Sequence, residues 1–172
     1  SFLKLHCYDG QQLMLNERIE GVADLRGAIR DAFRVLPETS SEIGWKEVGF
    51  KMQALGFEPG WGRTSEQIRS MLSLLVDILE APDPKSLETF LKQIPMIFRI
   101  AIISPHGYFG QSDVLGMPDT GGQVVYILDQ VRALERHMKQ SLHAQGLEID
   151  PQIVVLTRLI PHAGKTSCNQ PE

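Results

Sequence analysis

The chain has 172 residues, 42% hydrophobic and 22% charged, which suits one globular domain or parts of two. A net charge of -4 gives no basic footprint for nucleic acid and argues against an anionic membrane surface. No apolar run reaches the roughly 18–20 residues that span a bilayer, and Cys7 and Cys168 lack metal-ligand spacing and read as reduced thiols of a cytoplasmic protein.

In chain order, residues 2–15 read as two short strands around Asp9-Gly10, a common hairpin pair. The opening Ser1-Phe2-Leu3-Lys4 has strand character rather than that of a leader peptide, and the lack of an initiator Met suggests a piece of something larger. Asp24 is a candidate cap for a helix carrying Leu25, Ile29, Ala32 and Leu36, which Pro37 ends. Ser41 is a candidate start for a second helix through Trp45, Val48 and Met52, with Gly56 as its stop.

Thr64-Ser65-Glu66-Gln67 fits a capping box, in which the Thr hydroxyl and the Gln side chain satisfy each other's free backbone donors. Ile68, Met71, Leu72, Leu75, Val76 and Leu79 follow at helical spacing up to Pro82. Asp83-Pro84 starts another helix, with Asp as cap and Pro at the first helical position, running through Phe90 and Ile94 to Pro95.

The pattern changes at Pro95. A strand at 99–104, a long loop, a helix at about 122–143, Gly146 as its stop and a strand at 152–157 make a βαβ unit, which implies parallel strands and a right-handed crossover. The expected fold class is mixed α/β, with a mostly helical domain at 1–95 and the first βαβ unit of a Rossmann-like domain at 96–172. Two parallel strands do not make a stable sheet in water, so the second domain is expected to be incomplete. The tail from Pro161 to Glu172 is polar and unpatterned, with no predicted structure.

The loop from about Pro105 to Thr120 is longer than an ordinary βα connection. In open α/β folds ligands bind beyond the carboxyl ends of the strands, so His106 is expected at that crevice. Gly121 and Gly122 stand where the helix begins. Glycine lets backbone N–H groups approach a ligand, and the helix start carries partial positive charge, which together suit a phosphate or sugar hydroxyls. Asp119 and Thr120 are ordinary N-cap residues. The dinucleotide spacing G-x-G-x-x-G is absent. Gly116 and Gly121 match the P-loop spacing, but Gly122 and Gln123 replace its Lys and Ser/Thr, so an ATPase reading is weak. No metal-ligand constellation and no placed carboxylate pair can be recognised.

Three stretches carry a family resemblance: Ser104-Pro105-His106-Gly107-Tyr108-Phe109, Pro118-Asp119-Thr120-Gly121-Gly122-Gln123, and the run from Val124 to Glu135. With Met14 to Ile19, Gly60-Trp61-Gly62, Leu79 to Pro84 and Thr157 to Pro161, they make nearly the whole chain similar to plant and bacterial sucrose synthases. Gly110, Ser112 and Met117 depart from the plant pattern.

The resemblance implies a retaining hexosyltransferase of the two-Rossmann-domain (GT-B) type. It would interconvert sucrose and UDP, or in some bacterial members ADP, with fructose and UDP-glucose, without a cofactor or a bound metal. It places His106, Gly121, Gly122 and Gln123 at the nucleotide-sugar pocket and assigns no certain catalytic residue to this segment. It makes residues 1–95 a bridging domain that helps assemble a homotetramer. The basic residues that neutralise the diphosphate would come from a second Rossmann domain outside this chain, so the isolated segment is expected to be inactive.

Two alternatives remain. One is a non-catalytic assembly module, with Trp45, Phe50, Trp61 and Phe98 serving a subunit contact. The other is a transferase of the sucrose-phosphate synthase type, which shares the Asp-Thr-Gly-Gly-Gln string.

Overall fold

A computed structural model describes residues 2–37, 43–105, 107–110, 114, 116, 117, 122–166, 168 and 169. The fold is mixed α/β and divides into two compact units. The first is Ser1–Met96 with Gln140–Ile149; the second is Ile97–Lys139 with Asp150–Glu172.

The first unit opens with a 3-10 turn at Phe2–Leu5, where alternation predicted a strand. The turn is held without a strand partner: the Gln12 side-chain amide lies 3.0 Å from the Lys4 carbonyl and 3.1 Å from that of His6. Strands β1 (Cys7–Tyr8) and β2 (Gln11–Gln12) then pair antiparallel around Asp9-Gly10. Both turn residues have positive φ, as the predicted hairpin turn requires.

Helix α1 covers Val22–Val35. Asp24 is not its cap but its third residue: the carboxylate accepts from the Gly21 N–H at 2.9 Å and the Glu20 N–H at 3.1 Å. Pro37 lies just beyond the end of the helix, as expected, and the Arg69 guanidinium donates to the Phe33 and Leu36 carbonyls there at 2.9 and 2.8 Å. Helix α2, Trp45–Ala54, starts from Gly44, whose N–H donates to Glu47 at 2.9 Å. Ser41, the expected start, lies outside the described residues.

Helix α3, Ser65–Glu80, carries the predicted capping box, with Gln67 N–H donating to the Thr64 hydroxyl at 3.3 Å and Thr64 N–H to the Gln67 side chain at 3.2 Å. Helix α4, Pro84–Gln93, has Asp83 as its cap and Pro84 at its first position. The Ser86 hydroxyl, with the Ser86 and Lys85 amides, holds the Asp83 carboxyl below its usual range.

These elements close around Trp61, which is 1% exposed. Its indole N–H donates to the Met14 carbonyl at 2.8 Å. Its ring meets Phe57 edge-on at 5.4 Å and Phe90 at 6.3 Å. Met14 has a positive φ of 65°. That conformation is uncommon for a side-chain-bearing residue, and the Met14 backbone is pinned on both sides by hydrogen bonds with Pro59 at 3.0 Å and Glu58 at 2.9 Å. Trp61 is therefore core, not contact surface. Phe50, on the outer side of α2, is 86% exposed. Gly146 also belongs to this unit. Its φ is +80°, and a Cβ there would lie 2.5 Å from the Gly62 carbonyl oxygen, so only glycine fits the approach.

The second unit holds β3 (Arg99–Ser104), α5 (Gly122–Ala144) through Lys139, and β4 (Gln152–Thr157). The strands pair in parallel from Arg99↔Gln152 to Ser104↔Thr157. Ile102 and Val155 turn one face toward a cluster of Phe109, Val114, Val124, Ile127, Ala163 and Cys168. On the other face Ala101, Ile103, Val154 and Leu156 are exposed.

The tail departs from expectation. Ala163, Thr166 and Cys168 are buried. Thr166 donates to the Ala163 carbonyl from both its N–H and its hydroxyl, and the Cys168 thiol donates to the Phe109 carbonyl at 3.3 Å. The polar composition hid a local turn that closes the end of this cluster. Cys7 and Cys168 are both free thiols. Among the described residues, no helix is long and apolar enough to cross a membrane.

Candidate functional site

The site builds up from β3. An apolar run, Ile100 to Ile103, with three β-branched isoleucines, makes a strand that ends at Ser104. The chain leaves at Pro105, an exposed residue, and returns into α5 at Gly122. Gly107 has a positive φ of 71°, and Gly107, Phe109 and Gly110 are buried, so the first part of the connection packs inward.

Of the four expected ligand-binding residues, Gly122 and Gln123 are described. They are the first two residues of α5, and both are exposed. His106 and Gly121 lie outside the described residues, as do Asp119 and Thr120. Among the described residues nothing lies within 4 Å of where a Cβ on Gly122 would stand, and its φ is not in the positive region. Backbone conformation does not require glycine there, and neither does packing against the described residues, although glycine weakens a helix relative to alanine. Val124, one turn position further, is 1% exposed and anchors the helix start to the cluster.

The electrostatics of this end are open. The first turn of α5 has no acidic residue, whereas α1, α2 and α3 have Asp24, Glu47 and Glu66 there and α4 is capped by Asp83. The unpaired N–H groups of a helix start carry about half a positive charge. An anion or a set of sugar hydroxyls placed there would meet donors with no competing carboxylate from the first turn of the helix itself. Further along, Asp129 lies 3.6 Å from Arg132 on the exposed face of the helix, and Lys139 pairs with Asp150 at 2.6 Å, which holds the ammonium above its usual range.

Sequence reasoning passed over Ser104 as a separate group. Ser104 is 2% exposed, and its hydroxyl has no hydrogen-bond partner among the described residues. The available signal was a hydroxyl at the last position of an otherwise apolar strand. Among the described residues no three His, Cys, Asp or Glu side chains are grouped to hold a metal ion. The first unit has a cleft of about 310 Å³ lined by Trp61, Gln67, Lys92, Ser141 and Gln145 among others, which contains none of the expected ligand-binding residues.

A family model described as the first GT-B domain of sucrose synthase matches residues 85–172, and one described as the sucrose synthase EPBD domain matches residues 1–63. The chain belongs to the sucrose synthase family. It is 53% identical over 169 residues to sucrose synthase 2 of Arabidopsis thaliana, a match covering 98% of this chain and 21% of that protein. It is 54% identical over 171 residues to the sucrose synthase of Denitrovibrio acetiphilus, covering 99% and 22%, and 52% identical over 169 residues to that of Nitrosomonas europaea, covering 98% and 21%. The chain thus spans about a fifth of the length of these sucrose synthases.

Proposed function

We propose that this chain is the part of a sucrose synthase that joins a helical bridging domain, residues 1–95, to the first βαβ unit of the catalytic GT-B fold, residues 96–172. The reaction is the reversible, retaining transfer of glucose between sucrose and a nucleoside diphosphate, UDP or ADP, giving nucleotide-glucose and fructose. The whole protein works in the cytoplasm as a homotetramer.

The observation that carries this reading is Gly122. A glycine that neither its φ nor any described neighbour requires begins a helix whose first turn has no acidic residue. Such a position lets the diphosphate or the sugar come against backbone N–H groups. In the cleavage direction a diphosphate oxygen bonds to the glucose anomeric carbon while the bond from that carbon to the fructose oxygen breaks. The fructose oxygen takes up a proton. The start of α5 stabilises the diphosphate charge by about 0.3–1 kcal/mol for an exposed helix end, far less than the reaction needs. Most of the charge stabilisation must come from groups outside these residues. His106, Gly121 and Gln123 share the pocket with Gly122 on the family resemblance.

Titration calorimetry of UDP and fructose against a full-length sucrose synthase carrying these residues tests the site. Gly122→Val and His106→Ala are expected to weaken binding about tenfold or more. Gly122→Val should leave the melting temperature nearly unchanged, because no atom of the described residues lies within 4 Å of the added Cβ. Unchanged binding and turnover in both variants would sink the assignment. The 172-residue piece alone is expected to form no UDP-glucose from sucrose and UDP.

A further inference from the structure

Helix α4 packs on one side only. Phe90 and Ile94 are buried in the first unit, while Leu87 is 45% and Met96 48% exposed. On the open side Pro84, Leu87, Glu88, Leu91 and Lys92, with Met96 just past the helix end, line a groove of about 360 Å³. All six residues belong to the first unit, and among the described residues no other element lines the groove.

Residues four apart stand in line on a helix. The groove therefore has two rows. Leu87 and Leu91 make one. Pro84, Glu88, Lys92 and Met96 make the other, and in chain order it runs apolar, acidic, basic, apolar. That order is its own complement when reversed. A second copy of α4 laid antiparallel across the first, about a two-fold axis near residues 89 and 90, sets Glu88 of each copy against Lys92 of the other. Pro84 then meets Met96, and Leu87 meets Leu91. The midpoints of the two rows lie one residue apart, about 1.5 Å along the helix, so a single axis serves both. This is the arrangement of a two-fold dimer, in which residue i meets j and j meets i. A parallel copy in register would set like charges together instead.

We propose that this face of α4 is an interface between two copies of the chain. The proposal rests on the reading of the whole protein as a homotetramer, and it names one surface that builds it. Within one copy Lys92 pairs with Glu88 at 2.6 Å, and both side chains stay well exposed, so the two pairs can merge into a ring of alternating charge beside the leucines. A ten-residue helix is about 15 Å long. That is too short to bury the roughly 1,200–2,000 Å² of a stable interface alone. The contact therefore belongs to a larger one. Its leucines supply apolar area, and its charges select the antiparallel arrangement over the parallel one.

The test uses a full-length sucrose synthase carrying these residues, with Glu88→Lys, Lys92→Glu and the double variant. Sedimentation velocity over a range of concentrations reads the assembly. Each single reversal sets like charges across the axis twice and is expected to weaken assembly at least about tenfold. Species smaller than the tetramer should then appear at concentrations where the parent is intact. The double variant should assemble like the parent. It also restores the pair within α4, so the deciding arm is an equimolar mixture of the two single variants. Each then meets its opposite charges on the other, and the tetramer should return. Single variants as tetrameric as the parent overturn the proposal. So does a loss that mixing fails to repair, which is the result expected if another segment of the same polypeptide or an unrelated partner covers the groove. A monomeric parent would fell the homotetramer reading and this proposal with it. A tetrameric parent with unaffected variants leaves that reading standing and removes only the role of α4.

Discussion

The two units of this chain solve the same problem to different degrees. In the first, each helix start is answered by a nearby side chain: Asp24, Glu47, Gln67 with Thr64, and Asp83. Its core closes on an indole whose polar atom is also satisfied. In the second, one sheet face is packed and the other exposes Ile103 at 75%, Val154 at 53% and Leu156 at 52%. Its helix begins with an exposed glycine, and Ser104 at the end of β3 has a buried hydroxyl with no partner among the described residues. The first unit answers its helix starts from within, although the Gln145 side-chain oxygen is buried with no partner among the described residues. The second leaves groups open that something outside the described residues can meet, whether a ligand at the helix start or more sheet and helix against the bare face.

The sharpest way to break this contrast is at Trp61. Trp61→Ala should cost the first unit about 3–5 kcal/mol, as for other large aromatic truncations in cores. Urea unfolding followed by far-UV circular dichroism would show it, and a loss below about 1 kcal/mol would mean that the indole does not organise this core. A smaller effect is expected at Thr64. Thr64→Ala removes one side of the capping box on α3 and should cost about 1 kcal/mol; a neutral result would show that the helix start is held by its tertiary contacts instead. The smallest effect should come from the bare face. Ile103→Thr in the 172-residue chain should change stability by no more than about 0.5 kcal/mol. A loss above about 2 kcal/mol would show that the face is covered in solution and erase the difference between the units.

Legibility in the sequence followed the range of the interactions involved. The α3 capping box, Asp83-Pro84 and the ends of β3 and β4 were all readable because each depends on residues within one or two turns. Asp24 was misplaced by three positions because the same carboxylate can cap from the N-cap or reach back from the third residue. The 3-10 turn at Phe2–Leu5 depends on the Gln12 amide, and the tail turn depends on Phe109, 59 residues before Cys168. No local pattern encodes either.

The elements that flank the proposed site were legible: a parallel strand ending at Ser104 and a helix that includes Gly122 at its start. Ser104 was not singled out, because an unpaired hydroxyl is a property of its surroundings and a sequence shows only the serine.

A sheet of two strands has no interior strand. Among the described residues β3 and β4 pair only with each other, so each offers its other side to any extended segment of suitable register. Natural sheets blunt such edges with charge, proline or a covering element. Here the strand interiors from Ile100 to Ile103 and from Ile153 to Leu156 contain neither charge nor proline. For a polypeptide made from its amino end at about 5–20 residues per second, this βαβ unit would emerge as an adhesive template. The order in which later segments arrive, and how crowded the solution is meanwhile, would then decide between correct growth of the sheet and pairing with a neighbouring nascent chain.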